Sequence, residues 1–121
     1  MRLLYLTLLL TLICTQSVGG EVHKSVEVFW IPPEVETYVP VTTDNIESAA
    51  FKIVRIKNEK QARKVLDLIQ ESSQELNSKK IRVKIVTADK FYNFDSNGVG
   101  ISSVGQTVKV DLKNLKRVLC D

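Results

Sequence analysis

The sequence predicts an α+β domain: a mostly antiparallel sheet of five to six strands, packed by one long helix over about 59–76 and a short C-terminal helix over about 112–119. Three observations carry that expectation. From residue 20 onward the chain holds 23 valines and isoleucines against six leucines, and β-branched side chains suit a pleated surface better than a helix. Only one stretch of any length sustains helical periodicity. The strand-like runs also follow one another through short connections instead of alternating with helices, a pattern of α+β and not of a parallel α/β sheet.

The first nineteen residues stand apart. Arg2 opens them, and Leu3–Ile13 follows with eleven residues that are apolar or aromatic except for Thr7 and Thr11. A membrane-spanning helix needs roughly twenty. Ser17 and Gly19 place small residues at −3 and −1 of a cut after Gly19, with a cut after Gly20 nearly as good. Residues 1–19 therefore read as a cleavable secretory signal, and residues 20–121 as a single domain exported to the periplasm or the exterior. Twelve of the apolar residues belong to the signal, and removing them leaves about 40% apolar, an ordinary globular composition. No Asn-x-Ser/Thr acceptor follows residue 20, which fits a bacterial envelope protein.

In the domain itself, Ser25–Ile31 alternates: Val26, Val28 and Trp30 on one face, Glu27, Phe29 and Ile31 on the other. Pro32 and Pro33 stop it. Thr37–Thr42 is a second extended piece, held to an edge or a strand end by Pro40. Asp44-x-x-Glu47 is a capping box that opens one helical turn. Ala50–Ile56 is apolar on both faces in its middle, as expected of a central strand covered on both sides.

Asn58 then caps the long helix, with Gln61 at the capping-box position. Ala62, Val65, Leu66, Ile69, Ser73 and Leu76 form its inward stripe. Ile81–Thr87 alternates, with Ile81, Val83 and Ile85 inward and Arg82 and Lys84 outward. Phe91–Phe94 is a strand, Asp95-Ser-Asn-Gly98 a turn, and Val99–Ile101 and Thr107–Val110 are short strands around Gly105. Asp111 caps the last helix.

Charge is close to balanced, with 17 basic and 14 acidic residues, or 16 and 14 without Arg2. That makes no case for nucleic acid, nor for a membrane surface once the signal is removed. The one histidine, His23, lies near the new N-terminus, and no His/Cys cluster has zinc spacing, so no metal or cofactor is expected. A Ser-His-Asp set would need His23, without a Gly-x-Ser-x-Gly elbow to hold the serine. Asp95-x-Asn97-Gly98 departs from a calcium loop, because its glycine falls at position four and Gln106 stands at position twelve. Spatially assembled carboxylates from Glu27, Asp89 and Asp95 leave a small hydrolase as the least favoured reading. Cleavage also leaves Cys120 without an intramolecular partner; it reads first as a small residue packing the end of the last helix, with a reactive thiol or a dimer linked through Cys120 as the other uses.

Two surface features point to binding. Trp30, Ile31, Pro32, Pro33 and Tyr38 gather aromatic and rigid apolar groups around a proline break, a composition suited to a protein partner. Lys80, Arg82 and Lys84 lie on one strand, and Lys52, Arg55 and Lys57 on another; as neighbours they would form a cationic face for an anionic ligand. The leading expectation is a small exported protein that binds another protein stoichiometrically, as an inhibitor or immunity protein does. The alternative is an envelope module for an anionic ligand.

Overall fold

The computed structural model describes residues 25–120. The signal segment and His23 lie outside the described residues. The strands are β1 (Val26–Trp30), β2 (Lys52–Ile56), β3 (Gln70–Glu71), β4 (Ile81–Val86), β5 (Phe91–Asp95), β6 (Val99–Ser102) and β7 (Thr107–Lys109). The helices are α1 (Ile46–Ala49), α2 (Glu59–Asp67) and α3 (Leu112–Cys120). One sheet of seven strands runs in the order β2-β1-β4-β5-β6-β7-β3, and every neighbouring pair is antiparallel. The α+β architecture is as expected; the strand count is seven, not five to six.

Helices α2 and α3 cover one face of the sheet. Val26, Val28 and Trp30 of β1, Val83 and Ile85 of β4 and Phe94 of β5 meet Ala62, Val65 and Leu115 there. The opposite face carries a smaller core of Phe29, Ile31, Val41, Ile46 and Ile81, closed over by the segment from Val35 to Ala50. Strand β1 is therefore buried on both sides, because its two residue sets feed two cores.

The caps behave as the side chains dictate. Asn58 Oδ1 accepts from the Lys60 and Gln61 amides at 2.9 and 3.3 Å, and Asp111 Oδ1 accepts from Lys113 and Asn114 at 3.0 and 3.3 Å. Gln61 does not reach back to its cap. Its Nε2 donates to Val118 O at 3.0 Å and ties α2 to α3. The single turn α1 forms without the expected capping box. Asn45 precedes it and makes no side-chain cap; its Oδ1 accepts instead from the Thr42 amide at 2.8 Å.

Four other expectations are corrected. The long helix ends at Asp67, not near 76, because the chain turns to pair Gln70–Glu71 with β7. Ser72 Oγ accepts from the Gln74 amide at 3.0 Å, a local bond that competes with helix. Leu76 consequently packs in the smaller core, across the sheet from Val65.

Thr37–Thr42 is not a strand. Pro40 has no amide to give, and only Val41 bridges, to Lys80, with Val41 O accepting from the Ile81 amide at 2.9 Å. The strand expected over 50–56 forms as Lys52–Ile56, at the edge of the sheet and not at its centre: Phe51, just before it, and Ile53 are 63% and 48% exposed. The alternation of β4 breaks at a bulge between Ile81 and Val83, which turns Ile81 into the smaller core and buries Arg82 beside it.

The Asp95–Gly98 turn forms as expected, with Gly98 at φ 83, a left-handed conformation that favours glycine. Asp95 is buried and satisfied by three main-chain donors: its Oδ1 accepts from Asn97 and Val99 at 2.8 and 3.0 Å, and its Oδ2 from Asn77 at 2.9 Å. Among the described residues, no helix is long and apolar enough to cross a membrane.

Candidate functional site

The end of β1 and its proline break create a groove. Trp30 closes the strand and is almost fully buried; Pro32 and Pro33 then carry the chain away from the sheet and leave the ring with no following strand residue above it. The Phe51 amide donates to Trp30 O at 2.9 Å, which places the start of β2 beside the indole. Helix α3 supplies the facing wall through Leu112 and Leu119. Together with Val54 these residues line an open groove of about 420 Å³. Among the described residues, its rim carries Lys52, Lys113 and Lys116 and one acid, Glu34.

The groove lies within the size range of small-molecule pockets, about 300–1,000 Å³, but it opens along the edge of the sheet. Alternation along β1 shows how that edge is built. The Ile31 amide donates to Arg82 O at 2.7 Å, so residues 27, 29 and 31 bond toward β4. Residues 26, 28 and 30 then bond toward β2, to Ile56, Val54 and Lys52. The N–H and C=O groups of Ile53 and Arg55 are left pointing away from the sheet, with no main-chain partner among the described residues.

Of the residues expected at a partner surface, the structure brings Trp30, Pro32 and Pro33 together in the groove. Ile31 is not with them: it is wholly buried in the core on the opposite face. Tyr38 is fully exposed on the 31–45 segment and does not line the groove. Phe51, Leu112, Leu119 and the lysines of α3 were not singled out from sequence. The available signal was the amphipathic spacing of α3, whose outward lysines stand one turn apart.

The expected cationic face is not assembled. Strand β1 separates β2 from β4, so the two basic strands are not neighbours. Arg82 is buried, its Nη1 donating to Ile81 O at 3.0 Å and its Nη2 to Val35 O at 3.1 Å. It braces the turn in which the Val35 amide donates to Pro32 O at 3.1 Å, and so supports the proline wall of the groove. Lys84 Nζ pairs with Glu47 Oε1 at 2.7 Å and lies 4.8 Å from the centre of the Phe91 ring. Lys80 alone of the three is exposed.

The carboxylates weighed for hydrolysis are dispersed in role. Glu27 pairs with Arg55 at 2.8 Å. Asp89 accepts from Thr87 in the β4–β5 turn, at the opposite end of β5 from the turn-forming Asp95. Cys120 is exposed on α3 and borders the groove. Compared with known proteins, the chain matches no family model, no curated protein and no solved structure.

Proposed function

We propose that this is a small exported protein, of the bacterial periplasm or exterior, that binds another protein stoichiometrically in the manner of an inhibitor or immunity protein. The observation that carries the reading is the apolar groove of Trp30, Pro32, Pro33 and Phe51 beside α3, rimmed by lysines. Phe51 is 63% exposed at its mouth, and rigid aromatic groups around a partly desolvated pocket are the usual centre of a protein interface. Export rests on the N-terminal signal pattern. A Cys120-linked dimer would compete with the partner, because Cys120 borders the same groove.

The test compares what the immobilised protein and its Phe51→Asp variant retain from secreted and envelope fractions. Phe51 is exposed enough that the substitution leaves stability within about 0.5 kcal/mol. A partner held at a fixed molar ratio and bound at least about tenfold more weakly by the variant is the expected result. Retention of nothing, or equal retention by both proteins, overturns the reading.

A further inference from the structure

We infer that the partner contributes an extended segment that joins the sheet as an eighth strand along the free edge of β2, placing an apolar side chain in the groove and a carboxylate two residues away against its lysines. This rests on the groove being the partner site. Three features favour a strand over any other occupant. The main-chain groups of Ile53 and Arg55 point outward along an edge five residues long, and an incoming strand is the partner that satisfies such groups.

The groove opens on this same edge. Lys52 and Val54 turn to the helix-covered side, so a strand laid beside β2 sends every second side chain over the groove and toward Lys113 and Lys116 of α3. The period of two is what requires the apolar residue and the carboxylate to be two apart.

Charge selects the chemistry of the segment. Among the described residues, three lysines against Glu34 leave the rim cationic, and β2 itself carries Lys52 and no acid, its Arg55 being paired with Glu27 of β1. The β2 of a second copy, Lys-Ile-Val-Arg-Ile, would offer the lysine rim no carboxylate, so charge does not favour self-association. A carboxylate on the groove-facing side of the segment meets the opposite sign at Lys52, Lys113 and Lys116.

The probe is a blocked eight-residue peptide of threonines alternating with phenylalanine and glutamate, Thr-Phe-Thr-Glu-Thr-Phe-Thr-Glu, added to the purified protein and followed by amide NMR. Three companions accompany it: lysine replacing glutamate, N-methylation of the threonine amides, and N-methylation of the other four amides. The proposal predicts saturable shifts along β2 and slowed exchange at Ile53 and Arg55. Binding should weaken at least about tenfold for the lysine peptide and for one of the two N-methylated peptides, while the other retains it. Equal binding by the glutamate and lysine peptides, equal binding by both N-methylated peptides, or no response along β2 overturns the strand addition. A captured partner that Phe51→Asp releases, yet whose complex leaves Ile53 and Arg55 exchanging fast, overturns strand addition and keeps the groove; a partner indifferent to Phe51→Asp removes the groove reading itself.

Discussion

The two edges of this sheet are built in opposite ways. At one end β3 is only two residues long, Gln70–Glu71, its pairing with β7 extended by one bond from the Ser72 amide to Thr107 O at 3.1 Å. Glu71 is further engaged, its Oε1 accepting from Gln106 Nε2 at 3.0 Å. At the other end β2 runs for five residues, exposes Ile53, and adjoins an apolar groove. Proteins blunt their sheet edges because unpaired main chain invites strand addition. Here one edge is shortened to two exposed residues, while the other is a full strand whose Lys52 faces the groove and whose Arg55, on the opposite face, is paired with Glu27. Of the two edges, β2 is the longer and the better shaped to accept an added strand.

The largest effect should come from loosening the side of the sheet that ends in β3. Asp95 holds the β5–β6 turn and, through Asn77, the segment that follows β3. Asp95→Ala leaves one buried and two part-buried main-chain donors without their carboxylate, and charge-assisted bonds are worth about 1.5–3 kcal/mol each before compensation. A loss of about 3 kcal/mol or more is expected in denaturant unfolding, with amide exchange released first in β6, β7 and β3. A loss below about 1 kcal/mol would mean that the turn holds without its carboxylate.

Next come two proline substitutions one residue apart on β2. Val54 bonds to Val28 of β1, and Val54→Pro removes that ladder bond and orphans a buried carbonyl, at a cost of about 3 kcal/mol. Ile53 directs its amide outward, so Ile53→Pro should cost less than about 1 kcal/mol and still abolish strand addition. Equal costs in thermal or denaturant unfolding would break the distinction between the two faces of the edge. The smallest effect belongs to Glu71→Ala, an exposed site: stability should stay within about 0.5 kcal/mol and partner binding should not change. A binding loss there would move the interface to the β3 edge.

Much of the fold is legible from local chemistry. The Asn58 and Asp111 caps, the Asp95–Gly98 turn and the alternating strand at Val26–Trp30 all depend on contacts within a few residues, and each forms as its side chains dictate. What misleads is set at a distance. Ala50–Ile56 has the apolar character of a central strand, but position in a sheet is decided by which strands pair, and β1 takes the place between two neighbours. The helical stripe past Asp67 is real in sequence and is overridden by the pairing of Gln70–Glu71 with β7.

The site divides in the same way. Trp30, Pro32 and Pro33 announce themselves as a cluster, whereas Phe51 and the α3 lysines join them only through tertiary contact. Arg82 shows the limit of reading charge as surface: a bulge turns an outward position into a buried brace for the proline turn.

The central claim is that β2 presents an open, outward-facing edge. Residue-resolved amide hydrogen exchange on the free protein tests it most directly. The account predicts slow exchange at Val54 and Ile56, which bond to β1, and fast exchange at Ile53 and Arg55, which bond to nothing in the sheet. Uniformly slow exchange at all four would show the edge already covered in the free protein, and would contradict the account.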